Sequence, residues 1–410
     1  MSVLGSLPSK REARSYLKKF QQKVTPKDLQ PVEQRTGLVN LSPNLSSNDL
    51  FIVVKTLLRL RQLGLFPIIV LSSHIDPLDR LKSRDTIYNG AFRVVEAIER
   101  ANYRATPLNN VFTIHKSDAI TADLAHIHRC INSSQIPVIG CLGDKGDLKC
   151  PIPTKSALIS LAQSASNSPS FGSPLKFIII NSKGGISLAN KHITFVNMKV
   201  DFDSIHKMLS DIGPSESQTV QYLELIQAVL ENLSNKSSAI LTNAATSASL
   251  ISNLITDKPF VAPNKFNCDS SAIPTVFRSG LSVAVHTSLH SINTEKLTYL
   301  LESSFRKKLD KDGFFERLSK VGKTIMIAGS YDGAVIVTKE NSTSNPPYEL
   351  PYLDKFAVDP SSQGLGVADI LWSRLIAEYP NLCWRSRIDN PVNRWFVYLC
   401  YFQSNLIVHY

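Results

Sequence analysis

The chain has 410 residues, of which 43% are apolar and 19% charged, with 45 basic side chains against 34 acidic ones. At roughly 100–200 residues per domain, this length implies two or three domains with cores of their own, and the apolar content excludes wholesale disorder. Apolar runs such as Phe66–Leu71 are strand-sized and fall well short of the ~18 residues of a membrane span, so no span is expected. The net charge of +11 is spread along the chain rather than clustered with aromatics, which argues against nucleic acid and leaves anionic small molecules or import into an organelle that takes basic proteins.

Residues 1–24 carry Lys10, Arg11, Arg14, Lys18, Lys19 and Lys23 against the single acid Glu12. Both an acid-poor import sequence and an exposed first helix fit that pattern. From Asp49 the period of the apolar residues alternates between helix and strand. Helices are expected at Asp49–Leu63, Ala91–Arg104, Lys155–Gln163, Gln218–Leu233 and Thr246–Ile255. Strands are expected at Phe66–Leu71, Ile136–Leu142, Phe177–Asn181, Ile193–Asn197, Ser238–Leu241 and Gly280–His286. Such alternation over ~240 residues implies an α/β domain with a mostly parallel sheet. The six cysteines include no C-x-x-C pair. His126 and His128, two apart on a helical segment, point to different sides, so no metal site is expected and the thiols read as reduced.

A second, smaller α+β unit is expected from Ser291. It has helix Thr294–Phe305, strands Thr324–Ala328 and Gly333–Thr338 around the turn Ser330-Tyr331-Asp332, strand Tyr352–Val358, helix Val367–Tyr379 and strand Leu382–Arg387. The division is thus 1–48, a basic helix or import region; 49–290, the larger α/β domain; and 291–410, the smaller one.

The chemistry concentrates in the second unit. Strand Tyr352–Val358 runs into the glycine loop Gln363-Gly364-Leu365-Gly366 and then into a helix with apolar residues at 367, 370, 371, 375 and 376. Backbone N–H groups at such a helix start face an anion, and the glycines let the main chain approach a bulky pyrophosphate. There is no Walker-type loop, no third glycine of a dinucleotide fingerprint and no nucleophile elbow. Arg385 and Arg387, two apart on the expected last strand, share one face and suit a small dicarboxylate, with Asn390-Pro391 as the corner beyond them.

Gln363-x-x-Gly366-x-Ala368 resembles the pyrophosphate-binding pattern of the GCN5-related acetyltransferases. Tyr352-Leu353-Asp354-Lys355-Phe356, this loop, and Trp384-Arg385-Ser386-Arg387 with Asn390-Pro391 together resemble the fungal and vertebrate N-acetylglutamate synthases. Arg11–Leu17 is similar to the first helix of the fungal members, and Ser303-Ser304-Phe305-Arg306-Lys307 to the family's S-F-G-K segment. The resemblance implies an amino-acid-kinase-like three-layer α/β domain followed by a mixed α+β GCN5-related acetyltransferase domain. It implies acetyl transfer from acetyl-CoA, a co-substrate rather than a tightly bound cofactor, to the amino group of L-glutamate in the mitochondrial matrix. It also implies L-arginine as feedback inhibitor, a homo-oligomer, and a complex with acetylglutamate kinase. Phe356, Ala357, Val358, Gln363, Gly364, Leu365, Gly366, Val367 and Ala368 would hold acetyl-CoA. Lys307, Lys355, Arg385, Arg387 and Asn390 would hold glutamate.

Three departures stand beside this resemblance. Ser72-Ser73-His74-Ile75-Asp76 follows Pro67–Leu71, with no glycine run, whereas an active kinase needs glycine-rich phosphate loops after its first strands, so residues 49–290 read as a kinase-like fold without kinase activity, kept for regulation or assembly. Arg306 stands at the glycine of S-F-G-K. Phe396 stands where the family has a tyrosine, which leaves no catalytic side chain assigned, and Val397–Tyr410 does not resemble the family's ending, so a final strand region is expected beyond it. The alternative to an active synthase is a catalytically impaired arginine-sensing or complex-forming subunit.

Overall fold

The structure is a computed structural model. It describes residues 35–72, 75, 79–146, 148–168, 176–188, 191–234, 237–244, 273–341, 349–362 and 366–386. The chain divides into two compact units, with the division along the sequence between Ser279 and Gly280.

The first unit is built on an eight-stranded sheet. In chain order its strands and helices begin with β1 (Arg35–Leu41), α1 (Ser47–Gln62), β2 (Leu65–Leu71), α2 (Arg80–Glu99) and β3 (Ala105–Leu108). Next come the short strands β4 (Phe112–Ile114) and β5 (Ile120–Ala122), then α3 (Ala125–Asn132), β6 (Ile136–Gly140), β7 (Leu142–Lys145), β8 (Leu148–Pro151) and α4 (Thr154–Ser166). The unit closes with β9 (Lys176–Asn181), the hairpin β10 (Ile186–Leu188) and β11 (Lys191–Ile193), β12 (Phe195–Asn197), α5 (Met198–Ile212), α6 (Ser217–Glu231), β13 (Ser238–Asn243) and β14 (Thr275–Arg278).

The large sheet runs β12-β14-β13-β9-β1-β2-β6-β3, parallel except where β13 meets β14. Every residue of β2, β9 and β13 is buried, as expected where helices cover both faces of a parallel sheet. Alternate residues serve opposite cores: Leu38, Phe177 and Ile179 pack with α3–α6, whereas Val39, Ile178 and Ile180 pack with α1 and α2. The result is three layers. Helix starts are set by side-chain caps, Ser46 accepting from the Asp49 N–H and Asp79 from the Lys82 N–H.

Several segments of this unit differ from the expectation. Strand β1 lies between β9 and β2 in the large sheet, although residues 1–48 read as a basic helix or import region, and β3, α5 and β14 are not among the expected elements. Helix α2 begins eleven residues before Ala91, because its polar first turns mask the apolar period while the Asp79 cap sets the start. Strands β4, β5, β7 and β8 form a separate small sheet, each too short at three or four residues for its alternation to register. The expected helix Thr246–Ile255 lies outside the described residues.

The second unit contains β15 (Val283–His286), α7 (Thr294–Phe305), α8 (Lys311–Val321), β16 (Gly322–Ala328), β17 (Gly333–Asn341), β18 (Glu349–Val358) and α9 (Val367–Glu378). Its four strands form an antiparallel sheet in the order β15-β16-β17-β18. The segment Gly280–His286, expected to end the first unit's strands, therefore pairs elsewhere: Val283–His286 lies against β16. A short apolar run carries no mark of which sheet it joins.

Leu297, Leu300 and Leu301 of α7 with Phe314 and Leu318 of α8 cover one face, against Ile325, Ile327, Ala334, Ile336 and Ala357. Val367, Leu371, Trp372 and Leu375 of α9 cover the other, against Met326, Val335, Val337 and Leu353. Gly333 permits the close seating of α9, since a Cβ there would lie 2.7 Å from Val367 and 2.8 Å from Leu371. Helix α8 is absent from the pattern reading because Lys311-Asp312-Gly313 resembles a turn. Asp310 caps it by accepting from the Gly313 N–H, and Phe314 and Leu318, four apart, anchor it. The strand expected at Leu382–Arg387 is reduced, among the described residues, to a single parallel bridge between Tyr352 and Cys383.

Helix α7 ends on Arg306 in the left-handed conformation, φ 55° and ψ 37°. A Cβ is disfavoured there by about 1–2 kcal/mol, offset in part by the extra unfolded-state freedom of glycine. Arg306→Gly is accordingly expected to stabilise the second unit by roughly 0.5–1 kcal/mol, read as a rise in its thermal unfolding midpoint. A fall in that midpoint would mean that contacts of the arginine outweigh the backbone penalty.

Candidate active site

The geometry of the site begins with one extra residue in β18. Ile336 of β17 faces Lys355, but the next residue, Val337, faces Leu353, so Asp354 has no partner and the strand bulges. Leu353 packs in the α9 core and Phe356 against it, three positions apart where strict alternation would put them on opposite faces. Between them Asp354 and Lys355 both turn toward α8: the Arg317 Nη2 donates to Asp354 Oδ2 at 2.8 Å, and Lys355 Nζ lies 6.0 Å from the centre of the Phe314 ring.

The bulge also sets the direction of the backbone beyond it. Before it, the Leu353 N–H points away from β17 and donates to the Cys383 carbonyl at 2.8 Å. After it, the Asp359 N–H donates to the Asp332 carbonyl across the hairpin at 2.9 Å. Alternation then turns the N–H groups of Lys355 and Ala357 toward β17 and those of Phe356 and Val358 to the outer edge. The Ala357 side chain is fully buried on the α7–α8 face.

Beyond β18 the chain is pinned before it enters the glycine loop. Ser362, only 5% exposed, donates its hydroxyl to Asp332 Oδ1 at 2.9 Å. The Ser362 N–H donates to the Asp359 carbonyl at 2.9 Å. A cleft of about 730 Å³ opens beside this turn, lined by Lys296, Tyr299, Tyr331, Asp359 and Ser361 among others. Gln363, Gly364 and Leu365 lie outside the described residues. Gly366 is left-handed, φ 78° and ψ 6°, and caps α9, its carbonyl accepting from the Ile370 N–H. That backbone favours glycine and aims the first N–H groups of α9 back toward the loop. Val367 is buried and Ala368 half-buried.

Of the residues expected to meet an amino acid, Lys307 is exposed and directly follows the left-handed Arg306. Lys355 is half-buried, its ammonium 3.1 Å from Asp354 Oδ2. Arg385 is exposed, and its backbone N–H bonds the Tyr352 hydroxyl. Burial, chiefly, pushes the Tyr352 phenol above its ordinary pKa, with the Arg385 charge opposing. Arg387, Asn390 and Phe396 lie outside the described residues. Trp384 stacks edge-on to Trp372, ring centres 5.8 Å apart, which fixes the backbone on which Arg385 stands. The motif reading missed Arg317. No motif marks it, but its place one turn after Phe314 on a helix packed against the sheet is the available signal.

A family model described as "NAT, N-acetyltransferase, of N-acetylglutamate synthase" matches residues 284–400. A protein of Laccaria bicolor named mitochondrial amino-acid acetyltransferase is 31% identical over 424 residues, spanning 90% of this chain and 75% of the relative. One of the same name from Coprinopsis cinerea is 30% identical over 442 residues, spanning 90% of this chain and 70% of the relative. Among solved structures, a carbamate kinase from Giardia lamblia is similar over 60% of this chain and 98% of its own, at 9% identity and a TM-score of 0.36.

The turn that carries the chain from β18 to the loop is held by charge. Asp359 accepts from the Ser361 hydroxyl, from the Ser361 N–H at 2.9 Å and from the Ser303 hydroxyl at 3.4 Å. The Ser361 hydroxyl bond is the largest cause holding its carboxyl below the ordinary value of 3.8, with burial opposing. A carboxyl depressed by folding contributes stability that is full above its unfolded pKa and is lost as pH falls through the folded one. Asp359→Asn is therefore expected to lower the second unit's stability at pH 7, with the deficit shrinking as pH falls below the ordinary carboxylate value of 3.8. Denaturant titrations of both proteins across pH 2.5–7 test this, and a deficit that does not change with pH would reject the ionic origin.

Proposed function

Because the chain belongs to the family of mitochondrial amino-acid acetyltransferases, we propose that its second unit transfers the acetyl group of acetyl-CoA to the amino group of L-glutamate at the edge of β18. The chain is a mitochondrial acyltransferase. The observation that carries the site assignment is the bulge at Asp354, which turns the Phe356 and Val358 N–H groups to the same edge that leads, through a pinned turn, into the glycine-capped start of α9.

In this reading acetyl-CoA lies along the outer edge of β18 with its pyrophosphate at residues 363–368. Gln363, Gly364, Leu365 and Gly366 supply the approach, and the N-terminal N–H groups of α9 face the phosphates. The edge N–H groups at Phe356 and Val358 polarise the thioester carbonyl and stabilise the oxyanion formed when the amine adds to it. Ala357 contributes by packing, which holds the strand rigid behind them. Glutamate brings two carboxylates. Lys307, Lys355, Arg385, Arg387 and Asn390 are the side chains assigned to them and to the amino-acid backbone, and guanidinium groups suit planar carboxylates by bidentate pairing.

Attack needs the free amine, so one proton leaves the ammonium for water or a neighbouring base before the C–N bond forms. The tetrahedral adduct, positively charged on nitrogen, gives up a second proton from that nitrogen to water as it expels CoA as its thiolate, leaving the neutral amide. Feedback by arginine belongs to the same proposal, with the first unit as the candidate sensor.

Purified protein with acetyl-CoA and L-glutamate is expected to release CoA thiol at a rate that depends on both substrates. A Gln363→Glu, Gly366→Glu variant, which puts two negative charges against the pyrophosphate and a side chain on a left-handed backbone, is expected to abolish that release. Equal release by the variant, or none by the wild type, would refute the assignment, and the same assay with arginine added tests the feedback.

A further inference from the structure

Resting on the reading of Lys355 as a ligand of the substrate carboxylate, we propose that Asp354 and Arg317 are positioning residues that aim the Lys355 ammonium and keep its site cationic. The three side chains form one cluster. Asp354, with a side chain only 10% exposed, accepts from Arg317 Nη2 at 2.8 Å and sits 3.1 Å from Lys355 Nζ. The bulge is what makes this possible, because in a regular strand residues 354 and 355 would point to opposite faces.

Each member has a distinct task. A lysine ammonium rides on a flexible four-carbon stem, and holding it in one place costs side-chain entropy. Asp354 holds it before the substrate arrives. A lone Asp–Lys pair, however, is neutral and offers little to an incoming carboxylate. Arg317 restores one net positive charge to the cluster and occupies the Asp354 oxygen from the α8 side. Its own side chain is 43% exposed while the carboxylate it binds is 10% exposed, so the guanidinium charge is directed both at Asp354 and at solvent, from which a substrate carboxylate would approach.

Steady-state kinetics on the full chain test the assignment through the split between the two substrates. Asp354→Asn is expected to raise the KM for glutamate by roughly tenfold or more, the size of a lost charge-assisted hydrogen bond, with the KM for acetyl-CoA unchanged. Lys355→Met should do the same, and the double variant should be no worse than Lys355→Met, since the two act as one unit. Arg317→Gln should raise the glutamate KM and Arg317→Lys should largely restore it. If Asp354→Asn fails to fold, the Arg317 pair of variants carries the same readout from an exposed position. Additive effects of the Asp354 and Lys355 changes, or a rise in both KM values alike, would overturn the proposal. A glutamate KM untouched by Lys355→Met would instead sink the substrate role of Lys355. One raised by Lys355→Met but untouched by the Asp354 and Arg317 changes would sink the positioning role alone.

Discussion

The second unit depends on a single unpaired residue in a sheet. Inserting Asp354 between two regular stretches of β18 shifts the alternation by one, and three consequences follow from that shift. Leu353 and Phe356 both face the α9 side, so the helix that ends the glycine loop has an apolar floor. Asp354 and Lys355 both face α8, so two charges meet that would otherwise be separated by the sheet. The backbone N–H direction flips between Leu353, bonded to the Cys383 carbonyl, and the segment that ends at Asp359. Pairing with the following chain therefore stands at Tyr352–Cys383, before the bulge. A bulge bends the strand that carries it, and among the described residues no strand pairs with the outer edge of β18 beyond it.

The site beyond the bulge is held by polar contacts placed one after another along the chain. Asp332, in the β17 turn, receives both the Ser330 N–H and the Ser362 hydroxyl, and its carbonyl receives the Asp359 N–H. Asp359 in turn binds Ser361 and Ser303. The turn between β16 and β17, the end of α7 and the entry to the loop are thus tied through two carboxylates. On the opposite face, Trp372 lies between Phe356 and Trp384, ring centres 6.5 and 5.8 Å away. That buried indole connects the strand edge, the helix and the segment bearing Arg385. In the role proposed for the loop Gln363–Gly366, anchoring on either side of it reduces what must be organised on binding.

How much of this was written legibly in the chain varies with the strength of the local signal. The boundaries of α7 were readable to the residue, because Asn293 offers a cap and Leu297, Leu300 and Leu301 keep helical spacing. The α9 stripe at 367, 370, 371 and 375 was equally plain, and these residues are buried. The bulge was visible in principle, since Leu353-Asp354-Lys355-Phe356 places two polar residues in succession where a strand should alternate, but a motif reading takes the four residues as a signature and passes over their geometry. Arg317 could not be reached that way. Its partner is 37 positions away, and only the packing of α8 on the sheet brings the two together. Strand β15 was legible as a strand, but its sheet was not: four residues with no flanking period carry no information about their partner.

The departures at Arg306 and Phe396 differ in kind, and chemistry separates them. Arg306 is a conformational matter: the chain there adopts the backbone a glycine would, with the side chain present, so Lys307 follows a turn of the same hand despite the substitution. Phe396 is a question of proton supply. The family resemblance implies a tyrosine there, and a phenyl ring lacks the hydroxyl by which a tyrosine could protonate a departing thiolate. Yet a thiol with a pKa of about 8.5 is a good leaving group near neutral pH and is far less in need of a proton than an expelled amine or alkoxide. The step that does need help is the earlier one, in which a neutral amine must be produced and a negative charge must grow on the carbonyl oxygen. In the proposed reading those demands fall on the β18 edge and on the charges assigned to the substrate, where the bulge brings Asp354, Lys355 and Arg317 together.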